Sequence, residues 1–234
     1  MSSEPTKPRS HVITRERLLD GSLAEAFRAN APPGYMVRSQ AELDESLAQT
    51  LAGRSHDRDV HVFGYGSLMW NPAIEHVEAV KAHVYGWSRR YCIRLVMGRG
   101  SSERPGLMLA LDRGGSCYGL AFRIPADRAA EELRLLWRRE MLSGAYQARW
   151  VGATIHGRRE QVLTFVVNRT SPRYMGQLPM PQLVHMLRTG AGNLGTCREY
   201  FDSTMASLHK LGVRDAGLER VRHALETLPG ANVV

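Results

Sequence analysis

Apolar positions along this chain recur with two different periods, and the switches between them divide it into helices and strands. Leu18, Leu19, Leu23 and Phe27 fall on one helical face behind Thr14, a natural cap, which predicts a helix to about Asn30. Ala31-Pro32-Pro33-Gly34 breaks it. Ser39-Gln40-Ala41-Glu42 has the S-x-x-E form of a capping box and opens a helix to about Ala52. A polar connector over residues 53–59 leads into alternating segments. Val60-His61-Val62-Phe63 reads as a strand, and residues 78–96 as a second. Residues 107–111 and 116–124 read as two more, joined at Asp112-Arg113-Gly114-Gly115, a hairpin signal. From Pro125 to about Leu142 an amphipathic helix has an acidic start, a basic end and an apolar face of Leu133, Leu136, Trp137 and Met141. Residues 149–156 and 161–168 alternate around Gly157 as another hairpin, and helices over about 180–189, 196–211 and 215–228 close the chain. This order predicts an α+β fold, with a mixed or mostly antiparallel sheet curled into a barrel and flanked by helices. Residues 1–57 read as a helical extension and residues 58–234 as the main domain. Residues 1–12 are polar and Pro-containing, and are expected to fray.

Composition narrows the class. The chain has 234 residues, 43% apolar and 23% charged, which excludes a disordered chain or a disulfide mini-protein. The longest apolar runs are far too short to span a bilayer, and residues 1–17 carry no apolar leader, so no membrane association is expected. Cys92, Cys117 and Cys197 are an odd number with wide spacing, which fits reduced thiols in a cytoplasm. The net charge is +8, and Lys accounts for only three of the 31 basic residues. The arginines come as scattered pairs rather than a run, with no nucleic-acid reader motif. The surplus reads either as attraction for an anionic partner, a small acidic substrate rather than a nucleic acid, or as a generally basic surface, and no nucleic-acid partner is expected. Sequence says nothing of the oligomeric state.

Three segments can carry chemistry. The first is Val62-Phe63-Gly64-Tyr65-Gly66-Ser67-Leu68, where a strand runs into two glycines and a hydroxyl. Glycine lets backbone amides approach a ligand, so they can hold a carboxylate or oxyanion. By spacing alone the segment reads equally as a turn with a buried aromatic. It is no P-loop, since no Gly-Lys-Ser/Thr follows, and no nucleophile elbow, since Met69 stands where the last glycine belongs. The second is Glu140, at the end of the long helix and beside its apolar side. The helix dipole and partial burial both favour its neutral form and raise its pKa toward that of a useful base. The bland alternative is a solvated Glu paired with Arg139 or a neighbour. The third runs from Gly192 to Tyr200, a loop with Thr196 as N-cap or a second substrate wall. Cys197 there is either a thiol with lowered pKa or an inert small residue. The nine histidines show neither H-E-x-x-H nor C-x-x-C spacing, so no metal is expected, and nothing indicates a cofactor.

Taken together, these segments resemble the ChaC-like γ-glutamylcyclotransferases. The resemblance runs through Val62-Phe63-Gly64-Tyr65-Gly66-Ser67-Leu68-Met69-Trp70, Gly86-Trp87-Ser88-Arg89-Arg90-Tyr91-Cys92, Arg99-Gly100 with Pro105-Gly106, and Gly119. It continues with Arg139-Glu140, Gly144 and Tyr146, and ends with Gly195-Thr196 and Glu199-Tyr200. It covers about residues 60–230, and the two leading helices look like the bacterial branch. Cys197 departs from the usual Asn, and Ala145 from a frequent second Gly. The resemblance implies the family's barrel-centred fold and the cleavage of glutathione into 5-oxoproline and cysteinylglycine. It further implies that Val62, Phe63, Gly64, Tyr65, Gly66, Ser67 and Leu68, with Tyr146, bind substrate, and that Glu140 is the general acid/base. Arg94 and Arg99 are candidate partners for the glycine carboxylate. Two alternatives stay open: cyclisation of other γ-glutamyl amino acids or amines, and a non-catalytic regulator or binding module.

Overall fold

The computed structural model describes residues 13–229, so the polar stretch 1–12 lies outside it. Helices α1 (Arg15–Leu19), α2 (Ser22–Ala29) and α3 (Gln40–Leu51) lead into strand β1 (Val60–Gly64). Strands β2 (Glu78–Leu95) and β3 (Gly106–Ile124) follow, then helix α4 (Ala126–Leu136), which runs on into a π-helical turn (Trp137–Met141). Strands β4 (Tyr146–Ile155) and β5 (Arg158–Val167) form the second hairpin, whose turn residues His156 and Gly157 both have positive φ. Helix α5 (Met180–Thr189), two short strands β6 (Ala191–Gly192) and β7 (Gly195–Thr196), and helices α6 (Cys197–Lys210) and α7 (Ala216–Thr227) complete the chain.

The strands close into a barrel in the order β1-β3-β2-β4-β5. Closure comes from parallel pairing of Val62 with Leu163 and of Leu111 with Val166. Side chains of β1 alternate between two cores. Val60 and Val62 pack with Leu133, Leu136 and Trp137 and with Leu18, Leu23, Leu43 and Leu47 of the leading helices. Phe63 pairs instead with residues of α5, α6 and α7. Each such aliphatic side chain contributes about 1.5–3 kcal/mol by its burial.

Three sequence expectations are corrected. The stretch from Thr14 to Asn30 is two helices, because Gly21 adopts φ +79° and Asp20 Oδ1 accepts the Ser22 N–H at 2.8 Å. Leu19, expected on the apolar face, is consequently exposed. Asp112 to Gly115 is not a hairpin turn. The strand runs straight through, and Gly114 and Gly115 form a bulge opposite Gly86, with Tyr85 facing Ser116 and Trp87 facing Arg113. The long helix after Pro125 ends its α-helical part at Leu136, and the last turn widens to π geometry. The capping boxes of Ser39 with Glu42 and of Thr196 with Glu199 are both formed, each worth about 1 kcal/mol.

Candidate active site

Beyond β1 the chain makes a single 3₁₀ turn, Ser67–Met69, directly above the barrel end. Gly64 is packed so closely that a Cβ there would lie 2.8 Å from Leu68 Cβ. A Cβ on Gly66 would lie 2.5 Å from the Tyr200 hydroxyl. These contacts, rather than a positive φ, demand glycine. The loop is pinned from below by Arg89, whose side chain is 1% exposed. Its Nε donates to the Tyr65 carbonyl at 2.7 Å, and its Nη1 meets Asp215, the N-cap of α7, at 3.0 Å.

Glu140 reaches the same place from the π turn. It stands four residues after Leu136 and seven after Leu133, on the stripe that the helix buries. Helical π turns recur at functional positions. Its side chain is 14% exposed, and Oε1 is 2.8 Å from Arg139 Nε. Oε2 makes no hydrogen bond to any described residue. Arg139 itself is buried. It also donates to Ser67 Oγ at 3.0 Å and to the carbonyls of Asn71 and Pro72. One guanidinium therefore ties the glycine loop to the carboxylate. Burial pushes the Glu140 pKa up, against the opposing pull of Arg139.

Glu140 and the loop open onto one cavity of about 650 Å³, a size that suits a small molecule. Tyr65, Tyr146 and Tyr200 line it, and burial raises the pKa of each, Tyr200 to about 12. Proximity to Glu140 adds to all three shifts. Tyr65 and Tyr146 spend their hydroxyl protons on the carbonyls of Phe165 (2.6 Å) and Leu109 (2.9 Å), so they present rings to the cavity. The Tyr200 hydroxyl donates to no described residue, and the nearby Ser67 amide opposes the rise in its pKa. Among the described residues no group of His, Cys, Asp or Glu gathers with metal-ligand geometry.

Of the residues proposed from sequence, Tyr65, Gly66, Ser67, Leu68, Glu140 and Tyr146 line this cavity together. Val62, Phe63 and Gly64 do not. The first two are fully buried on opposite sides of β1, and Gly64 lies under Leu68, so they support the loop rather than face a ligand. Arg99 lines the cavity, whereas Arg94 is exposed outside it. Cys197 is no reactive thiol. It is buried, its Sγ donates to the Arg99 carbonyl at 3.0 Å, and desolvation raises its pKa. Sequence reasoning assigned no role to Arg89 or Tyr200, although both lie within the quoted motifs, and it offered Arg139 only as the partner of a solvated Glu140; the pair is formed, but at the cavity. It missed Tyr35 and Arg173 entirely, and both line the cavity.

The family model of ChaC-like proteins matches residues 60–228. A glutathione-specific gamma-glutamylcyclotransferase of Escherichia coli (strain K12) is 36% identical over 94% of this chain and 95% of that protein. A glutathione-specific gamma-glutamylcyclotransferase 1 of Mus musculus is 29% identical over 78% of this chain and 85% of that protein. The crystal structure of a yeast gamma-glutamyl cyclotransferase specific to glutathione shares the fold. Its TM-score is 0.66 at 17% identity, covering 72% of this chain and 96% of that one. This chain belongs to the ChaC-like family.

Proposed function

We propose that this chain is a glutathione-specific γ-glutamylcyclotransferase that uses Glu140 as its acid/base. The observation that carries the reading is the Glu140 carboxylate, buried at one cavity with the Tyr65-Gly66-Ser67-Leu68 loop, one oxygen held by Arg139 and the other unpartnered. The substrate brings its own nucleophile. Its α-amine attacks the γ-carbonyl carbon, a five-membered lactam closes, and the amide bond to cysteinylglycine breaks. Over the reaction the α-ammonium gives up two protons and the leaving nitrogen takes up two. A single carboxylate that shuttles them returns to its starting state. A raised pKa suits a group that must both accept and return a proton near neutrality. The amides of the loop and the Tyr200 hydroxyl would hold the substrate carboxylate or the developing oxyanion. No enzyme nucleophile is required, and Ser67 positions rather than attacks.

Residues 58–234 form the catalytic domain in this reading, and residues 1–57 a helical layer added to it. The start of the family match at residue 60 supports that division. The cysteines are free and buried, in keeping with a reducing cytoplasm. Among the described residues no helix is long and apolar enough to cross a membrane.

The test is incubation with glutathione, with no cofactor added, followed by assay of 5-oxoproline and cysteinylglycine. N-acetyl glutathione keeps the γ-amide and both carboxylates but has no competent amine, and should be inert. Release of free glutamate, or efficient cleavage of the N-acetyl analogue, would replace cyclisation by hydrolysis.

A further inference from the structure

The cavity holds one positive charge that no carboxylate of the described residues pairs with. Four arginines line it. Arg15 is matched by Glu132 at 2.6 Å, Arg139 by Glu140 at 2.8 Å, and Arg99 by Glu199 at 3.9 Å. Arg173 has only neutral acceptors among the described residues. Its Nη1 donates to the Tyr35 hydroxyl and its Nη2 to the Ser143 carbonyl. Its guanidinium also lies over the Tyr35 ring, 4.6 Å from the centroid. Its backbone carbonyl accepts the Arg94 N–H at 2.9 Å, which fixes it on the edge of β2 beside Ile93. A half-buried guanidinium held in this way is oriented by hydrogen bonds but has no carboxylate partner among the described residues, and a carboxylate in the cavity would supply one.

We infer that Arg173, positioned by Tyr35, is the subsite for the second carboxylate of the substrate, the one on the leaving fragment. This deepens the function proposed above and rests on it. The γ-glutamyl end is engaged by Glu140 and the glycine loop, where Arg139 is already neutralised. The far carboxylate of a tripeptide then meets the unmatched charge. Tyr35 precedes the region matched by the family model, so the leading segment completes the active site rather than merely covering the fold. Arg173 binds, and Tyr35 acts as a positioning residue.

The experiment compares glutathione with its glycinamide analogue, which differs only in that carboxylate, in the wild type and in Arg173→Met. The wild type should prefer glutathione by about 10–100-fold in kcat/KM, mainly through KM. In Arg173→Met the loss on glutathione should exceed the loss on the amide by about tenfold or more. Tyr35→Phe, which keeps the ring but loses the acceptor, should reduce the preference less. Equal losses on both substrates, or a wild type indifferent to the amide, would overturn the subsite. If the wild type cleaves neither compound, the proposed function fails by itself. Calorimetric titration of Glu140→Gln with the two compounds then still reads the subsite, which stands on tighter binding of glutathione and falls on equal binding.

Discussion

Glu132 and Glu140 both follow from the helix begun at Ala126, and each meets an arginine, yet the two pairs are built differently. Glu132, 1% exposed, receives Arg15 Nη1 and Nη2 at 2.6 Å each and the Glu75 N–H at 2.8 Å. Both oxygens are engaged, by three hydrogen bonds in all, and α1 is clamped to α4. Glu140 receives Arg139 on one oxygen only. Its other oxygen is left for a ligand, and burial raises its pKa. A buried carboxylate with both oxygens bound is a structural clamp. A half-saturated one at a cavity is a reagent, because the unmet hydrogen-bonding capacity is the part that can act on substrate.

The sharpest division between the two is expected from neutral substitutions at each. Glu140→Gln keeps shape but cannot take a proton, so kcat should fall by roughly 10²–10⁴-fold with little change in the unfolding midpoint. Near-normal turnover would remove Glu140 from the mechanism. Glu132→Ala should do the reverse, costing about 3 kcal/mol of stability in a urea titration, since it leaves Arg15 only the longer contacts to Glu75 at 3.7 Å and Glu131 at 3.9 Å and frees the Glu75 N–H. Turnover of the folded fraction should stay within about tenfold of wild type on the scale of such effects. A Glu132→Ala protein that is stable but inactive would break the distinction.

How far these roles were legible in the sequence follows from the range of the interactions. Capping boxes, period-two strands and the closing helices depend on neighbours a few residues apart, and the pattern predicts them. Glu140 also left a trace, because it shares a stripe with Leu133 and Leu136. Gly114 and Gly115 misled, since the same dipeptide serves a turn or a bulge, and only the facing Gly86 decides which. The π turn has no local signature. The contacts of Arg139 with Ser67, Arg89 with Asp215 and Arg173 with Tyr35 join residues far apart in the chain, and no periodicity records them.

Arg139 itself offers a finer test, because it opposes the effect of burial on Glu140. For a base that must be ionised, activity is lost as pH falls through its pKa. That acid limb of kcat/KM should lie above the ordinary carboxylate range in the wild type. Arg139→Met removes the charge that holds the pKa down, so the limb should move to higher pH. The rate near neutrality should drop about tenfold and recover on the alkaline side. A limb that stays in place, or moves down, would mean that the pair does not tune the base.

Ser67→Ala is expected to have the smallest effect, and for that reason it separates positioning from chemistry. The Ser67 hydroxyl oxygen accepts Arg139 Nη2 at 3.0 Å, while the Ser67 amide survives the substitution. Arg139 retains Glu140 and two backbone carbonyls as partners. One lost hydrogen bond out of several, to a charged donor that stays in place, corresponds to roughly 1.5–3 kcal/mol at most. Because the remaining contacts still orient the guanidinium, turnover should fall only about 3–10-fold, on the scale of a single neutral hydrogen bond. The acid limb should stay where Glu140 places it, since no charge has been removed. Complete loss of turnover in Ser67→Ala, together with a covalent adduct trapped on Ser67 in the wild type, would make the hydroxyl a nucleophile and Glu140 its base, reversing the roles derived from the two carboxylates.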